Sequence, residues 1–341
     1  MNYYLSRNYK SLSTAGNKAR TDIEKIMQEM GIKNIGLPTS TYSNTIIGFI
    51  FNLVSVIRAI ALLRKGDNIV LQYPVKKYFS IICKAAYLHG AKVIVVIHDL
   101  GSFRRKKLTA EKEIKRLNNA DYIICHNSHM EKWLIENGIS TKTGQLGIFD
   151  FLSETTYKNS HKDKSTYSVV YAGRLGKDKN RFLYEIGEYI ESYNIVLYGN
   201  GFEKEDAKGE RHFIYKGFMN SDQLIKNAEG DFGLVWDGDS ISECSGNFGE
   251  YLKLNNPHKT SLYIRCGLPI IIWEQAALAD FVKLNNIGFT VGSLTDIEKI
   301  ISNITEEEYS QLRNNINKIS NNLSNGYYIN KALNNAILSI S

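Results

Sequence analysis

The sequence predicts an α/β protein made of two doubly wound parallel sheets, and three observations predict it. Strand and helix patterns alternate along the chain with short links, as parallel strands joined by crossover helices require. At 341 residues the chain exceeds one ordinary core, and domains of about 150 residues are the natural division. A polar, structureless stretch from Leu152 to Thr166 separates the alternation into two series, as an interdomain linker does. The expected domains are residues 1–155 and 165–314, the first completed by a C-terminal helix at 315–341.

The first series opens with a strand, Asn2 to Ser6, and a polar loop that ends in Ser13-Thr14-Ala15-Gly16-Asn17. A helix follows from about Asn17 to Met30. Small residues after the first strand of such a unit let a ligand approach the backbone, so Gly16 is a candidate contact, although a plain turn glycine reads the same way. A short strand spans Ile32 to Leu37. Between Ile46 and Leu63, Ile46, Ile50, Leu53, Ile57 and Ile60 recur at steps of three and four, which predicts a helix with that face buried. Asn52, Ser55 and Arg58 interrupt it, so it is not a clean membrane span. Asn68 to Tyr73 is an apolar strand, Lys76 to His89 a helix, and Lys92 to Ile97 a fully buried strand. Asp121 to Cys125 is a further strand, and a helix runs on to Asn137.

Ligands of doubly wound sheets lie beyond the carboxyl ends of the strands. Gly16, Tyr73, His98, Asp99, His126 and Asn127 all fall there. His98 and Asp99 suit a base with its orienting partner, or Asp99 a base alone. A loop histidine and a helix-capping aspartate fit the same residues.

In the second series, Ser168 to Ala172 leads into Gly173-Arg174-Leu175-Gly176-Lys177-Asp178-Lys179. Asn194 to Tyr198 leads into Gly199, and Phe213 to Lys216 into Gly217-Phe218. Asp231 to Trp236 leads into Asp237-Gly238-Asp239-Ser240, and Leu268 to Trp273 is a buried strand followed by Ile287 to Val291. Between these last strands lies Asn255-Asn256-Pro257-His258-Lys259-Thr260-Ser261-Leu262-Tyr263. It reads as a helix start with Asn256 as N-cap and Pro257 in the first helical position. The N-terminus of a helix carries partial positive charge, and Lys259 adds a full one, which makes an anion seat. A capped helix with a solvated lysine is the plainer reading. Arg174 and Lys177 or Lys179 add further cations suited to clamping a diphosphate. Asp237 and Asp239 also suit a magnesium pair. The basic neighbours favour a metal-free clamp, so no cofactor is expected.

Composition narrows the class. The chain is 43% hydrophobic and 23% charged, and its net charge is +7, which is globular and inclined toward phosphate-bearing partners. Apart from Arg104-Arg105-Lys106-Lys107, which suits a solvated loop or a membrane surface, the basic residues are scattered and no nucleic-acid motif is present. The four cysteines form neither a zinc pattern nor a disulfide framework, and no secretory signal opens the chain. A cytoplasmic protein is expected, with peripheral membrane contact and homo-oligomerisation left open.

Longer motifs sharpen this. Val235 to Ser240, Glu243 to Lys253, Asn255 to Tyr263 and Ala276 to Phe281 resemble the bacterial β-1,6-galactofuranosyltransferases of polysaccharide assembly. The same family pattern includes the streptococcal glucosyltransferases that extend N-acetylglucosamine on serine-rich adhesins. Gly16 to Arg20, Ile97-His98-Asp99 and Tyr171-Ala172-Gly173 match as well. The resemblance is dense from Phe232 to Phe281 and thinner elsewhere. It implies a GT-B fold, two Rossmann-like domains facing each other across a central cleft, and inverting transfer of a hexose from a UDP-sugar to a glycan, glycoprotein or lipid-linked acceptor. It places Gly16 beside the diphosphate or sugar. Arg174, Lys179 and Lys259 fall on phosphates, and Asn255, Asn256, His258 and Thr260 around diphosphate and ribose. Tyr198, Gly199 and Phe218 fall around uracil. Asp237, Asp239 and Glu243 serve the donor sugar or the scaffold, and Tyr73 the acceptor. Asp99, with His98 beside it, is the expected base. UDP-galactofuranose is the first donor expected, UDP-glucose the alternative. A non-catalytic UDP-sugar-binding subunit is the alternative of another class.

Overall fold

The computed structural model describes residues 1–11, 15–75, 78–104, 108–158 and 166–341. Ser13 and Thr14 of the first loop, Lys76 at the head of an expected helix, Arg105-Lys106-Lys107 of the basic run and residues 159–165 of the expected linker lie outside them. The chain forms two compact units, Met1–Asp150 with Gly326–Ser341, and Phe151–Asn325.

The first unit runs β1 (Asn2–Tyr4), α1 (Ala15–Glu29), β2 (Lys33–Asn34), α2 (Thr45–Leu62), β3 (Asn68–Tyr73), α3 (Phe79–His89), β4 (Lys92–Ile97), α4 (Gly101–Arg104), α5 (Ala110–Leu117), β5 (Tyr122–Cys125), α6 (Ser128–Glu136) and β6 (Lys142–Gln145). Its strands are parallel in the order β2-β1-β3-β4-β5-β6. β4 is the core strand: Val93 to Ile97 are at most 1% exposed, because an interior parallel strand is covered on both faces. The strand expected over 32–37 shrinks to two residues, and α1 starts at Ala15, two residues before the expected start.

The largest departure is α2. Its buried residues are Gly48, Ser55, Val56 and Ala59, whereas Ile46, Ile50, Leu53 and Ile57 are 36% to 70% exposed. The face expected to be buried points outward. Asn44 caps the helix by accepting from the N–H groups of Ile46 and Ile47. The Ser55 Oγ accepts from the Leu37 N–H at 3.0 Å, so the polar and small stripe is the one held against the unit.

The second unit runs β7 (Ser168–Arg174), α7 (Lys177–Asn180), β8 (Asn194–Asn200), β9 (Phe213–Gly217), α8 (Ser221–Asn227), β10 (Phe232–Val235), α9 (Gly246–Tyr251), α10 (His258–Arg265), β11 (Ile270–Trp273), α11 (Ala279–Leu284), β12 (Gly288–Val291), α12 (Asp296–Asn303) and α13 (Glu306–Ser324). The parallel order is β12-β11-β10-β7-β8-β9. The carboxyl ends of β7 and β8 approach so closely that a Cβ on Gly199, at φ 148°, would strike the Gly173 carbonyl, so glycine is required there.

The helical end expected as one piece at 315–341 is two helices, broken at Gly326 with φ 68°. α13 packs on α10, where the buried Arg265 donates to the Ser320 hydroxyl and to the Ser153 and Thr155 carbonyls. α14 (Tyr327–Ile340) crosses back to α1 and β5 of the first unit. The Asp150 carboxylate accepts from the Ile329 N–H at 2.7 Å and the Tyr328 N–H at 3.2 Å in its first turn. Burial pushes that carboxyl up to about 7 even so.

Candidate active site

The second unit gathers its charges where β7 and β10 end. β10 runs on through Trp236 to Asp237, both buried. The Trp236 indole N–H donates to the Ser240 carbonyl at 2.9 Å, and this closes the loop that holds the aspartate. A Cβ on Gly238, at φ 122°, would run into the Ser245 backbone, so the turn requires glycine. Two lysines converge on Asp237 Oδ1: Lys179 from α7 at 3.2 Å and Lys259 from α10 at 3.5 Å. The Lys259 ammonium also donates to the Tyr171 hydroxyl at 3.0 Å. That hydroxyl in turn reaches the Asn180 Oδ1 at 2.8 Å, and the Asn180 amide donates to the Arg174 carbonyl at 2.5 Å.

The electrostatics follow from this crowding. Burial pushes the Lys259 ammonium down to about 8, with the nearby Lys179 charge adding to it and Asp237 opposing. Burial also works to raise the Asp237 carboxyl, but the two ammonium groups together overcome it and hold it below its ordinary range. Burial and then the Asp237 charge push the Tyr171 hydroxyl well above its ordinary range, so it stays protonated. One carboxylate between two ammonium groups leaves a net positive site, and an anion placed there meets little desolvated negative charge.

α10 begins at His258 with Pro257 as N-cap, one residue later than the sequence suggests. Pro257 itself makes no side-chain capping bond. The Asn255 Oδ1 and Thr260 Oγ1 atoms are buried there without a hydrogen-bond partner. Asn256 is 3% exposed, and the His258 ring stacks on Phe151 at 4.8 Å.

The remaining candidates of this unit stand apart from that cluster. Arg174 is exposed and pairs with Asp178 at 2.6 Å. Lys177 pairs with Asp206 instead, and Lys179 is the one of the two that reaches Asp237. Tyr198 is buried with its hydroxyl accepting from the Glu229 N–H, so only its backbone faces the strand end. The Gly199 carbonyl accepts from the Tyr215 hydroxyl at 3.0 Å. Phe218 is 67% exposed. Asp239 and Glu243 are exposed, and the Asp239 backbone N–H donates to the Ser245 hydroxyl at 3.1 Å.

At the carboxyl edge of the first sheet, His98 Nε2 lies 2.7 Å from the Gln72 Oε1, and its ring stacks on Phe149 at 5.4 Å. Asp99 is half-buried beside it. The buried Arg20 guanidinium donates to the Gln72 and Tyr73 carbonyls at 2.9 and 3.2 Å. Burial, with the Arg7 charge, pushes it down to about 9, while Tyr9, Asp99 and Glu24 act to keep its proton. His126 is 1% exposed and 3.0 Å from the Ile97 carbonyl; burial pushes it down to about 4, so it is neutral. Gly16 is the second residue of α1, with open space where a Cβ would stand. Tyr73 is a different matter: it is 2% exposed, and its hydroxyl donates to Glu113 at 2.8 Å. Glu113 also accepts from the Gly101 and Ser102 N–H groups. As placed, Tyr73 braces the segment after Asp99 and offers no free hydroxyl to an acceptor.

Sequence reasoning missed Tyr171, Asn180, Arg20 and Gln72. Tyr171 lay within a quoted motif, and its strand position beside β10 was the available signal. Arg20 lies one turn beyond Gly16 on a helix whose polar residues all look alike.

Residues 2–148 match the glucosyltransferase 3-like N-terminal domain, and residues 169–336 the glucosyltransferase 3-like C-terminal domain. Over 336 residues the chain is 32% identical to the β-1,6-galactofuranosyltransferase WbbI of Escherichia coli strain K12, covering 98% of each. It is 21% identical to glucosyltransferase 3 of Streptococcus gordonii, covering 94% of each. Among solved structures it is similar to the apo form of the lipopolysaccharide outer core galactosyltransferase WaaB, with TM-score 0.65 and 14% identity over 99% of each chain. It is also similar to the lipopolysaccharide glycosyltransferase WaaG, with TM-score 0.52 and 10% identity over 97% of this chain and 98% of that one. The fold is therefore that of the GT-B glycosyltransferases, as the motifs implied. The chain belongs to the glucosyltransferase 3-like family that includes the β-1,6-galactofuranosyltransferase, and it is a hexosyltransferase.

Proposed function

We propose that the protein transfers galactofuranose with inversion from UDP-galactofuranose to a glycan or lipid-linked acceptor of surface polysaccharide synthesis, without a metal, at the cytoplasmic side. The observation that carries the reading is the convergence of Lys259 and Lys179 on the buried Asp237 beside the start of α10. When the sugar–phosphate bond breaks, negative charge develops on the departing diphosphate. Pre-placed ammonium groups and helix N–H groups lower that barrier most when they are held in a dry site before the reaction. The two lysines supply the cationic charge a metal supplies elsewhere. Asp99 takes the proton of the acceptor hydroxyl as its oxygen attacks the anomeric carbon. Arg20, held by the backbone of β3, places a positive charge near Asp99.

The galactofuranose donor rests on the 32% identity to a galactofuranosyltransferase. The second reading, UDP-glucose transfer to a GlcNAc-bearing glycoprotein, is favoured by the glucosyltransferase descriptions of both domains. Turnover of a UDP-sugar panel with simple acceptors tests both. UDP release with UDP-galactofuranose alone supports the first, and release with UDP-glucose alone replaces it with the second. UDP binding with no turnover for any donor overturns the enzymatic assignment of donor and acceptor.

A further inference from the structure

We propose that the outer face of α2, flanked by α3, rests flat on an anionic lipid surface. Ile46, Ile50, Leu53, Val54 and Ile57 are 36% to 70% exposed, and their spacing of three, four or one places them on one continuous stripe of the helix. α3 packs beside α2. Scattered apolar residues on a surface need no explanation, but a contiguous run over about three helical turns marks a contact.

The helix is long and apolar enough to cross a bilayer by composition, but one side of it is held by the unit. Its opposite stripe is buried through Gly48, Ser55, Val56 and Ala59, and the Asn52 Oδ1 accepts from the Asn8 N–H at 2.8 Å. A helix fixed on one side and apolar on the other lies in the plane of an interface.

Charge selects the occupant. From Met30 to His98 the sequence carries eight lysines and arginines and one acidic residue, Asp67. Asp67 is 6% exposed and paired with the amino terminus at 2.9 Å, so it does not offset the surface. Arg58, Arg64, Lys65 and Lys84 are exposed. A symmetric contact between two copies would set this cationic patch against itself. An anionic lipid surface attracts it, and it accepts an aliphatic stripe without needing sockets for individual side chains. The proposal stands independently of the donor assignment.

The test is flotation of the full-length protein with vesicles of phosphatidylethanolamine and phosphatidylglycerol, against vesicles of phosphatidylcholine, with mass measured by light scattering. Wild-type protein is expected to float with the anionic vesicles and much less with the zwitterionic ones. Ile50→Glu with Ile57→Glu is expected to lower the bound fraction by more than about tenfold, with unchanged melting temperature and UDP affinity. Arg58→Glu with Arg64→Glu is expected to erase the preference for anionic vesicles. Wild-type protein that fails to float overturns the proposal. So does a dimer that the Ile50→Glu and Ile57→Glu pair splits while flotation persists, since the face then belongs to a second copy.

Discussion

The carboxyl edges of the two sheets are built for different work. In the second unit, two ammonium groups share one buried carboxylate, and the Tyr171 hydroxyl accepts from one of them, Lys259. In the first unit, neutral groups carry most of the bonding: His98 meets an amide, His126 a carbonyl, and Tyr73 a carboxylate four residues into another helix. Asp99, half-buried, lies at this edge with a buried guanidinium near it. The same strand-helix architecture therefore gathers two ammonium groups on one edge and mostly neutral partners on the other. The difference teaches that the fold supplies the edge and the side chains at strand ends decide its chemistry.

The sharpest way to break the comparison is Asp99→Asn. Loss of the proton acceptor is expected to lower kcat by about 10²–10⁴-fold, with the UDP dissociation constant unchanged. Equal losses in binding and turnover would instead mean that Asp99 holds Arg20 and the loop in place. Lys259→Ala comes next, with an expected fall in kcat/KM of about 10²–10³-fold and a weaker UDP complex. Calorimetry with UDP alone separates the two edges: the lysine variant moves the affinity and the aspartate variant does not.

A smaller effect follows from pH. The Lys259 ammonium titrates near 8 in the folded protein, so below that pH it is charged and above it neutral. UDP affinity is expected to fall as pH rises through about 8, by at most about tenfold per unit, until the bound anion's own pull on the lysine is exceeded. The contribution of this group to stability runs the other way. Between about 8 and its ordinary value the unfolded chain holds the proton and the folded chain does not, so stability from Lys259 rises with pH. A titration in which UDP affinity falls, so that Kd rises, while the melting temperature of the free protein also rises above pH 8 in wild type, with neither change in Lys259→Met, checks both signs.

Much of this was legible in the sequence because apolar periodicity and strand-end position are local signals. β4 read as a buried parallel strand, and Lys259 and Asp237 read as strand-end candidates, because both follow from spacing along the chain. α2 read with the wrong face inward. Periodicity identifies an apolar stripe but does not say which stripe the domain covers. Here close approach to Asn8 and Gly36 selected the side with Gly48 and Ser55. The partnership of Tyr171 with Lys259 spans 88 residues, and no local pattern encodes it. The choice between Lys177 and Lys179 turned on a short helical turn whose direction only the packed structure fixes.

The smallest expected effect decides how the second edge handles its charge. Asp237 and Asp239 are two residues apart, yet Asp237 is buried between lysines while Asp239 is exposed and, among the described residues, bonded through its backbone alone. A magnesium pair needs both carboxylates on one ion. The lysine clamp needs Asp237 alone. Asp239→Asn is therefore expected to change kcat by less than about threefold, in the range of an exposed side chain without a buried partner, with any loss appearing in the donor KM and no response to added magnesium or to chelator. A hundredfold loss that added magnesium restores would replace the clamp with a metal pair. It would also make the second edge, like the first, an edge whose chemistry rests on carboxylates.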